Sequence, residues 1–202
     1  MPTTASEPQK KRRMRNGLTP EQRTQLHLER ILNAAIIEFT SNGYNNTSVA
    51  NIVARARVSR STFYEHFSDR EDCLLSVMRP VLDALVRAAK GAVANETDPA
   101  ERARAALRAA VCAAADDRDH VNSLLIEIHG GSDKAVSAVV QAQTELGNII
   151  NETGSTLDHQ GFALAGAALS FLDAHVRAKT LDRLLSSEDD TLDRFLRVLV
   201  HS

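Results

Sequence analysis

Tryptophan is absent from the 202 residues, aromatics make up only 4% of them, and there are just two cysteines, five prolines and nine glycines. Sheets are enriched in aromatic side chains, so their scarcity beside abundant alanine predicts an all-α fold of closely packed helices. Cys73 and Cys112 stand far apart and form neither a Cys-x-x-Cys pair nor a disulfide framework, as expected in a reducing compartment. Both read as small buried apolar residues. The longest apolar stretch, Phe162–Leu172, stops at Asp173, well short of the ~20 residues a membrane helix needs. Met1–Gln9 lacks the apolar core of a signal peptide, so a cytoplasmic location is expected. The Asn-x-Thr triplets at Asn45, Asn95 and Asn151 then read as chance matches to a glycosylation pattern.

Enzyme signatures are also missing. His129-Gly130-Gly131-Ser132 resembles an oxyanion loop, but no Gly-x-Ser-x-Gly accompanies it; phosphate-binding glycine loops and His-Glu-x-x-His are absent. The seven histidines show no metal-ligand spacing. No catalysis, metal or cofactor is expected.

What is present is a division of charge. Residues 1–70 carry 11 basic and 6 acidic residues, a net +5, whereas 71–202 carry 13 and 20, a net −7. A basic front and an acidic back suit a nucleic-acid binder with a separate regulatory body. Residues 1–16 lack apolar periodicity and hold the cluster Lys10, Lys11, Arg12, Arg13 and Arg15, which reads either as an arm reaching DNA or as a solubilising tail.

Helix signals fill the rest. Thr19, Pro20 and Gln22 make a capping box ahead of Leu28, Ile31, Leu32, Ala35, Ile36 and Phe39 at helical spacing, with Gly43 as a left-handed terminator. Thr47 caps a short helix through Val49, Ile52, Val53 and Ala56; Arg57-Val58 links it to a second, capped by Ser59, with Phe63 and Phe67 inward. Ser68 and Glu71 open a fourth helix through Leu74 to Leu85, in which Pro80 predicts a kink that acts as a hinge or merely fits the core. Further helices are expected over about 99–115, His120–His129, Ser132–Ile150 and Thr156–Leu185, and one beginning at Ser187–Asp190, about nine in all.

A short helix, a three-residue turn and a second short helix form a helix-turn-helix. The second presents Arg60, Ser61, Thr62, Tyr64 and His66 outward; arginine and small hydroxyls read base edges in a major groove, while cap residues and helix termini hold phosphates. The runs Thr47–Ala56, Arg57–Phe67 and Ser68–Glu71 resemble the DNA-binding signature of tetracycline-repressor-type (TetR) regulators, specifically over about Ile31–Leu75. The resemblance implies that Thr47 and Tyr64 hold phosphates, that Arg70 stands where the family usually has Lys, and that Arg60, Ser61 and Thr62 face bases. Ser48 and Ser59 complete the expected DNA-contacting set. Arg57 stands where the family usually has Gly, so a strained or altered turn that gains a phosphate contact is expected.

The resulting organisation is an arm (1–16), a three-helix DNA-binding domain (17–70) and a larger helical ligand-binding and dimerisation domain (71–202). The glycine- and alanine-rich segment Gly161–Leu172 is apolar on nearly all sides and calls for burial on more than one. A homodimer interface is therefore expected at Phe162, Ala165, Leu169, Leu172, Leu192, Phe195, Leu196 and Leu199. Met78, Leu82, Cys112, Leu125, His129, Phe162 and His175 are the candidate pocket for a small-molecule effector between the fourth helix and the Thr156–Leu185 helix. The whole predicts a ligand-responsive regulator of double-stranded DNA, a repressor by family habit, binding a near-palindromic operator through major grooves ~34–36 Å apart. A helical ligand- or partner-binding protein without sequence-specific DNA binding is the alternative.

Overall fold

The computed structural model describes residues 17, 19–116, 132–151, 158–180 and 190–201. Among them are eight helices and no strand: α1 (Pro20–Asn46), α2 (Val49–Ala56), α3 (Arg60–Tyr64), α4 (Arg70–Ala92), α5 (Pro99–Asp116), α6 (Asp133–Asn151), α7 (Asp158–Arg177) and α8 (Thr191–His201). The expected arm, the expected helix over His120–His129, and pocket candidates Leu125 and His129 lie outside the described residues.

α1 begins as its sequence requires. The Thr19 hydroxyl accepts from the Gln22 N–H at 3.2 Å and the Gln22 side chain accepts from the Thr19 N–H at 2.8 Å. Gly43 has a positive φ of 73° but an extended ψ of 166°; it kinks the chain, and a last short turn follows to Asn46. Two caps fall one residue later than expected. Ser48, not Thr47, caps α2, and Asp69, not Ser68, caps α4 by accepting from the Asp72 N–H at 2.8 Å. A carboxylate at a helix N-terminus adds a favourable charge–dipole term to the hydrogen bond, which a serine lacks. Ser68 instead donates its N–H to the Asp72 carboxylate at 2.9 Å.

Ile31, Ala35, Phe39, Ile52, Phe63 and Phe67 fill the interior of the head formed by α1–α3, and α4 carries the same core onward through Leu74, Met78 and Leu85. Pro80 lies exposed in α4, which continues past it to Ala92. Among the described residues the head helices pack chiefly on one another and on α4; α4 packs on α5 and α6, α6 on α7, and α5 on α8. Cys73 is fully buried, whereas Cys112 is only half-buried. Burial pushes the Cys73 thiol up to about 12.

α7 ends well before the expected Leu185. Lys179 adopts a left-handed conformation (φ 56°), with its N–H donating to the Val176 carbonyl at 3.1 Å and the Thr180 N–H donating to the His175 carbonyl at 2.9 Å. This hydrogen-bond pair is the usual glycine-favoured helix terminator, here built on a lysine.

Several expectations for the body are corrected. Ala165, Leu172, Leu192 and Leu196 are buried within the protomer, so they serve its own core and not a surface for a second copy. The reason is that α7 turns its alanine-rich face to α5 and α6: a Cβ on Gly161 would lie 2.5 Å from the Gly147 carbonyl oxygen, so the α6 and α7 backbones touch there. Met78 is likewise plain core, and Phe162 is 38% exposed on the surface. The His175 ring is bound to its own helix, with Nδ1 2.9 Å from the Phe171 carbonyl. Leu82 lines a groove, but between α4 and α6 and not between α4 and α7.

Candidate nucleic-acid interface

The α2–α3 unit is built from three consecutive capping devices. The Ser48 hydroxyl accepts from the Asn51 N–H at 3.2 Å while the Asn51 side chain accepts from the Ser48 N–H at 2.9 Å. α2 then closes on Arg57, whose left-handed backbone (φ 55°, ψ 45°) lets its N–H donate to the Ala54 carbonyl and the Val58 N–H to the Val53 carbonyl, at 3.3 and 3.1 Å. α3 starts at once, with the Ser59 hydroxyl accepting from the Thr62 N–H at 3.0 Å.

This arrangement decides which side chains face out. Phe63 is completely buried and Phe67 nearly so, their rings 5.4 Å apart, which pins the inner side of the segment. Arg60 and Ser61 are exposed, Thr62 is half-buried, and Tyr64 is 55% exposed with its ring edge-on to Phe63. The Ser59 hydroxyl also pairs with those of Ser61 and Thr62 at 2.7 and 2.9 Å. Ser48, Arg57 and Ser59 are exposed beside them. The exposed set therefore offers two guanidinium groups, three serine hydroxyls and a phenol, groups chemically able to donate hydrogen bonds to phosphates or base edges.

Three expected DNA-facing residues are turned inward instead. Thr47 is 1% exposed, and its hydroxyl donates to the Glu38 and Gly43 carbonyls at 3.1 and 2.9 Å. Arg70 extends back over α1: its Nη1 donates to the Tyr44 carbonyl at 2.9 Å and to the Thr47 carbonyl, and its guanidinium stacks 3.9 Å above the Tyr44 ring. His66 is half-buried, and its Nε2 is shut away from solvent with no hydrogen-bond partner. The hydroxyl of Thr47 and the guanidinium of Arg70 are thus spent on joining α1, α2 and α4.

A third joint was not anticipated from the sequence. Glu38 is only 6% exposed, and its carboxylate accepts from Arg55 Nε at 2.5 Å and from Asn42 Nδ2 at 2.9 Å. Its signal was available: Glu38 continues the Ile31–Ala35 spacing, which puts an acid on the buried stripe of α1, where a paired cation is required.

The geometry defines a helix-turn-helix carried on a helical body. The profile of bacterial regulatory proteins of the tetR family matches residues 31–77. Over 79 residues the chain is 35% identical to the HTH-type transcriptional activator FasR of Mycolicibacterium smegmatis, covering 39% of this chain and 36% of that one. It is 32% identical over 72 residues to the HTH-type transcriptional regulator HbdR of an Aromatoleum strain, covering 36% and 31%. The matched segment therefore spans about a third of each curated relative. Among solved structures, the TetR family regulator PfmR from Thermus thermophilus superposes with a TM-score of 0.62 at 22% identity, covering 92% of this chain and 97% of that one. FadR from Bacillus subtilis, in complex with stearoyl-CoA, gives 0.66 at 17% identity, covering 85% and 97%. Residues 31–77 thus match the DNA-binding portion of the tetR family of bacterial regulatory proteins, and the fold as a whole is similar to that of solved tetR-type regulators.

Proposed function

We propose that this chain is a ligand-responsive transcriptional regulator that reads a near-palindromic operator as a homodimer. The observation that carries the reading is the outward set Arg60, Ser61 and Tyr64 over the buried pair Phe63 and Phe67. A helix needing only to pack would not present a guanidinium, a hydroxyl and a phenol side by side on a segment pinned by three caps. A dimer is required because one such unit contacts too few bases to specify a site, and two at fixed spacing multiply the discrimination. For the contact between copies, the exposed Phe162 and Val198 and the half-buried Leu169, Phe195 and Leu199 are the candidates on α7 and α8.

The effector is proposed to carry an apolar chain. Leu85, Leu107, Val111, Leu146, Ala168 and Leu172, from α4 to α7, line a wholly apolar cavity of about 10 Å³. That is room for little more than one water, so an effector would enter by spreading these helices, and only an apolar group would gain from the exchange. The likeness in fold to a regulator holding stearoyl-CoA favours the same class.

The test is selection of duplexes by the full-length protein from a random-sequence pool, followed by binding in the presence of stearoyl-CoA. An enriched inverted repeat, released by the acyl-CoA, is the expected result. Binding that ignores sequence would overturn the regulator reading in favour of a helical ligand- or partner-binding protein. Release unaffected by the acyl-CoA would overturn the apolar-chain assignment alone.

A further inference from the structure

Resting on the regulator reading, we infer that Glu71 and Lys134 are positioning residues, a clasp that sets the attitude of the DNA-reading head on the regulatory body. Among the described residues the head meets the body chiefly through α4, so whatever orients the first turn of α4 orients the head. Two successive residues of that turn reach in opposite directions. Arg70 is bound to the head through the Tyr44 and Thr47 carbonyls and the Tyr44 ring.

Glu71 reaches the body. Its carboxylate pairs with Lys134 Nζ at 2.7 Å, beside Ser132 and the first turn of α6. Ser132 is itself the cap of α6, its hydroxyl accepting from the Ala135 N–H at 3.2 Å. Glu71 thus places a negative charge at the N-terminus of a 19-residue helix, where the helix dipole adds to the attraction of Lys134. The Lys134 ammonium and the Ser132 hydroxyl hold the Glu71 carboxyl below the usual carboxylate range, and Glu71 in turn raises Lys134. Asp69 and Asp72, on the same turn of α4, also hold negative charge toward Lys134.

α4 and α6 run side by side in the same direction from this point. After the 71–134 contact, Arg79, Leu82 and Val86 face Ala138, Ala142 and Glu145 across a groove. A shift of α6 along or away from α4 is therefore delivered at the turn where α4 leaves the head. An ion pair whose lysine is exposed contributes little to global stability, so its loss should appear in head placement and not in melting.

The experiment uses the full chain and the duplex that the wild-type protein enriches from a random pool. Glu71→Ala, Lys134→Ala, their double variant and Glu71→Gln are measured on that duplex, on versions with one base pair added or removed between half-sites, and on random duplex. Each alanine variant is expected to lower the preference for native spacing about five- to tenfold, with the double variant no worse than either single. Glu71→Gln, which keeps an acceptor but not the charge, should fall between. Affinity for random duplex and the melting temperature should be unchanged. Spacing preference unaltered in every variant, or effects that multiply in the double, would overturn the inference. A wild-type protein that enriches no sequence overturns the regulator reading, and the inference with it.

Discussion

Replacing Arg57 by glycine should strengthen the fold and weaken the grip on DNA at the same time. Arg57 holds φ 55° and ψ 45° at the end of α2, where its β-carbon crowds the following carbonyl. A residue other than glycine loses roughly 1–2 kcal/mol in that conformation. Glycine removes the strain but adds unfolded-state freedom, which offsets about 0.4–1 kcal/mol. The balance is a stabilisation of about 0.5–1 kcal/mol, a melting temperature raised by about 1–4 °C for a chain of this size. Arg57 is also exposed between the Ser48 and Ser59 caps, so the proposed interface loses one cation per protomer. Each phosphate contact contributes about 0.9 to the slope of log K against log salt, so a dimer should bind with a slope shallower by about 1.8. Calorimetry and fluorescence anisotropy across a salt series measure the two effects. Arg57→Ala separates them, since alanine keeps the β-carbon in the left-handed region but carries no charge: the slope should fall without the gain in melting temperature. A glycine variant that melts lower than wild type would refute the strain argument; an unchanged slope would remove Arg57 from the interface.

Other sites respond in ways the packing dictates. Arg102 is 8% exposed and donates to the carbonyls of Ile149, Val93 and Glu96 at 2.9, 3.3 and 3.4 Å. Arg102→Met leaves these acceptors without their donor at a cost of about 3 kcal/mol, and a thermal melt should fall by about 6–12 °C. Two helical glycines should respond with opposite signs. Gly161→Ala forces α6 and α7 apart and should cost about 1–3 kcal/mol, whereas Gly91→Ala, with nothing within 4 Å, should gain up to about 1 kcal/mol in denaturant titration. Cys112 should react with iodoacetamide in the native protein and Cys73 only on unfolding. Because burial raises the Cys73 thiol to about 12, the unfolded chain loses that proton first as pH rises. Native stability should therefore fall between the ordinary thiol range and that value, and Cys73→Ala should abolish this component.

The elements whose ends carry conventional chemistry were legible in the sequence. Thr19-Pro20-x-Gln22 and Asp98-Pro99 announce α1 and α5, and both caps form, the second with Asp98 accepting from the Glu101 N–H at 2.9 Å. The end of α7 was not legible, because its left-handed terminator is Lys179 and not glycine, so the apolar pattern read on to Leu185. The equivalent end at Arg57 was found only because a capping serine and two spaced phenylalanines follow it. Within the candidate site, exposure was read well where a buried neighbour fixes the register, as Phe63 and Phe67 do for Arg60 and Ser61. It failed for Thr47 and Arg70, whose side chains are held by α1, and for His66, whose ring is half-buried against Phe67. The alanine stripe of α7 correctly signalled burial on several sides, but small-residue content alone does not distinguish packing within a chain from packing between chains. Gly147 and Gly161 decide it toward α6 for that stripe.

The pairing of Arg55 and Arg70 with partners inside the head changes what the charge division means. Of the four arginines between residues 55 and 70, Arg55 is paired with Glu38 and Arg70 with backbone carbonyls, leaving Arg57 and Arg60 facing out. Two cations per protomer give a dimer a salt slope of only about −3.6 from this unit on B-form DNA. The net +5 of residues 1–70 comes largely from the five cations between Lys10 and Arg15. A measured slope near −4 would make that cluster a solubilising tail, since the reading heads alone would account for it. A slope of −8 or steeper, falling to about −4 when the five are replaced by glutamine, would make it an arm on the phosphates. The distinction is open to measurement because the head's own clasps consume half of its nearby arginines, which sets a low floor against which the arm's contribution stands out.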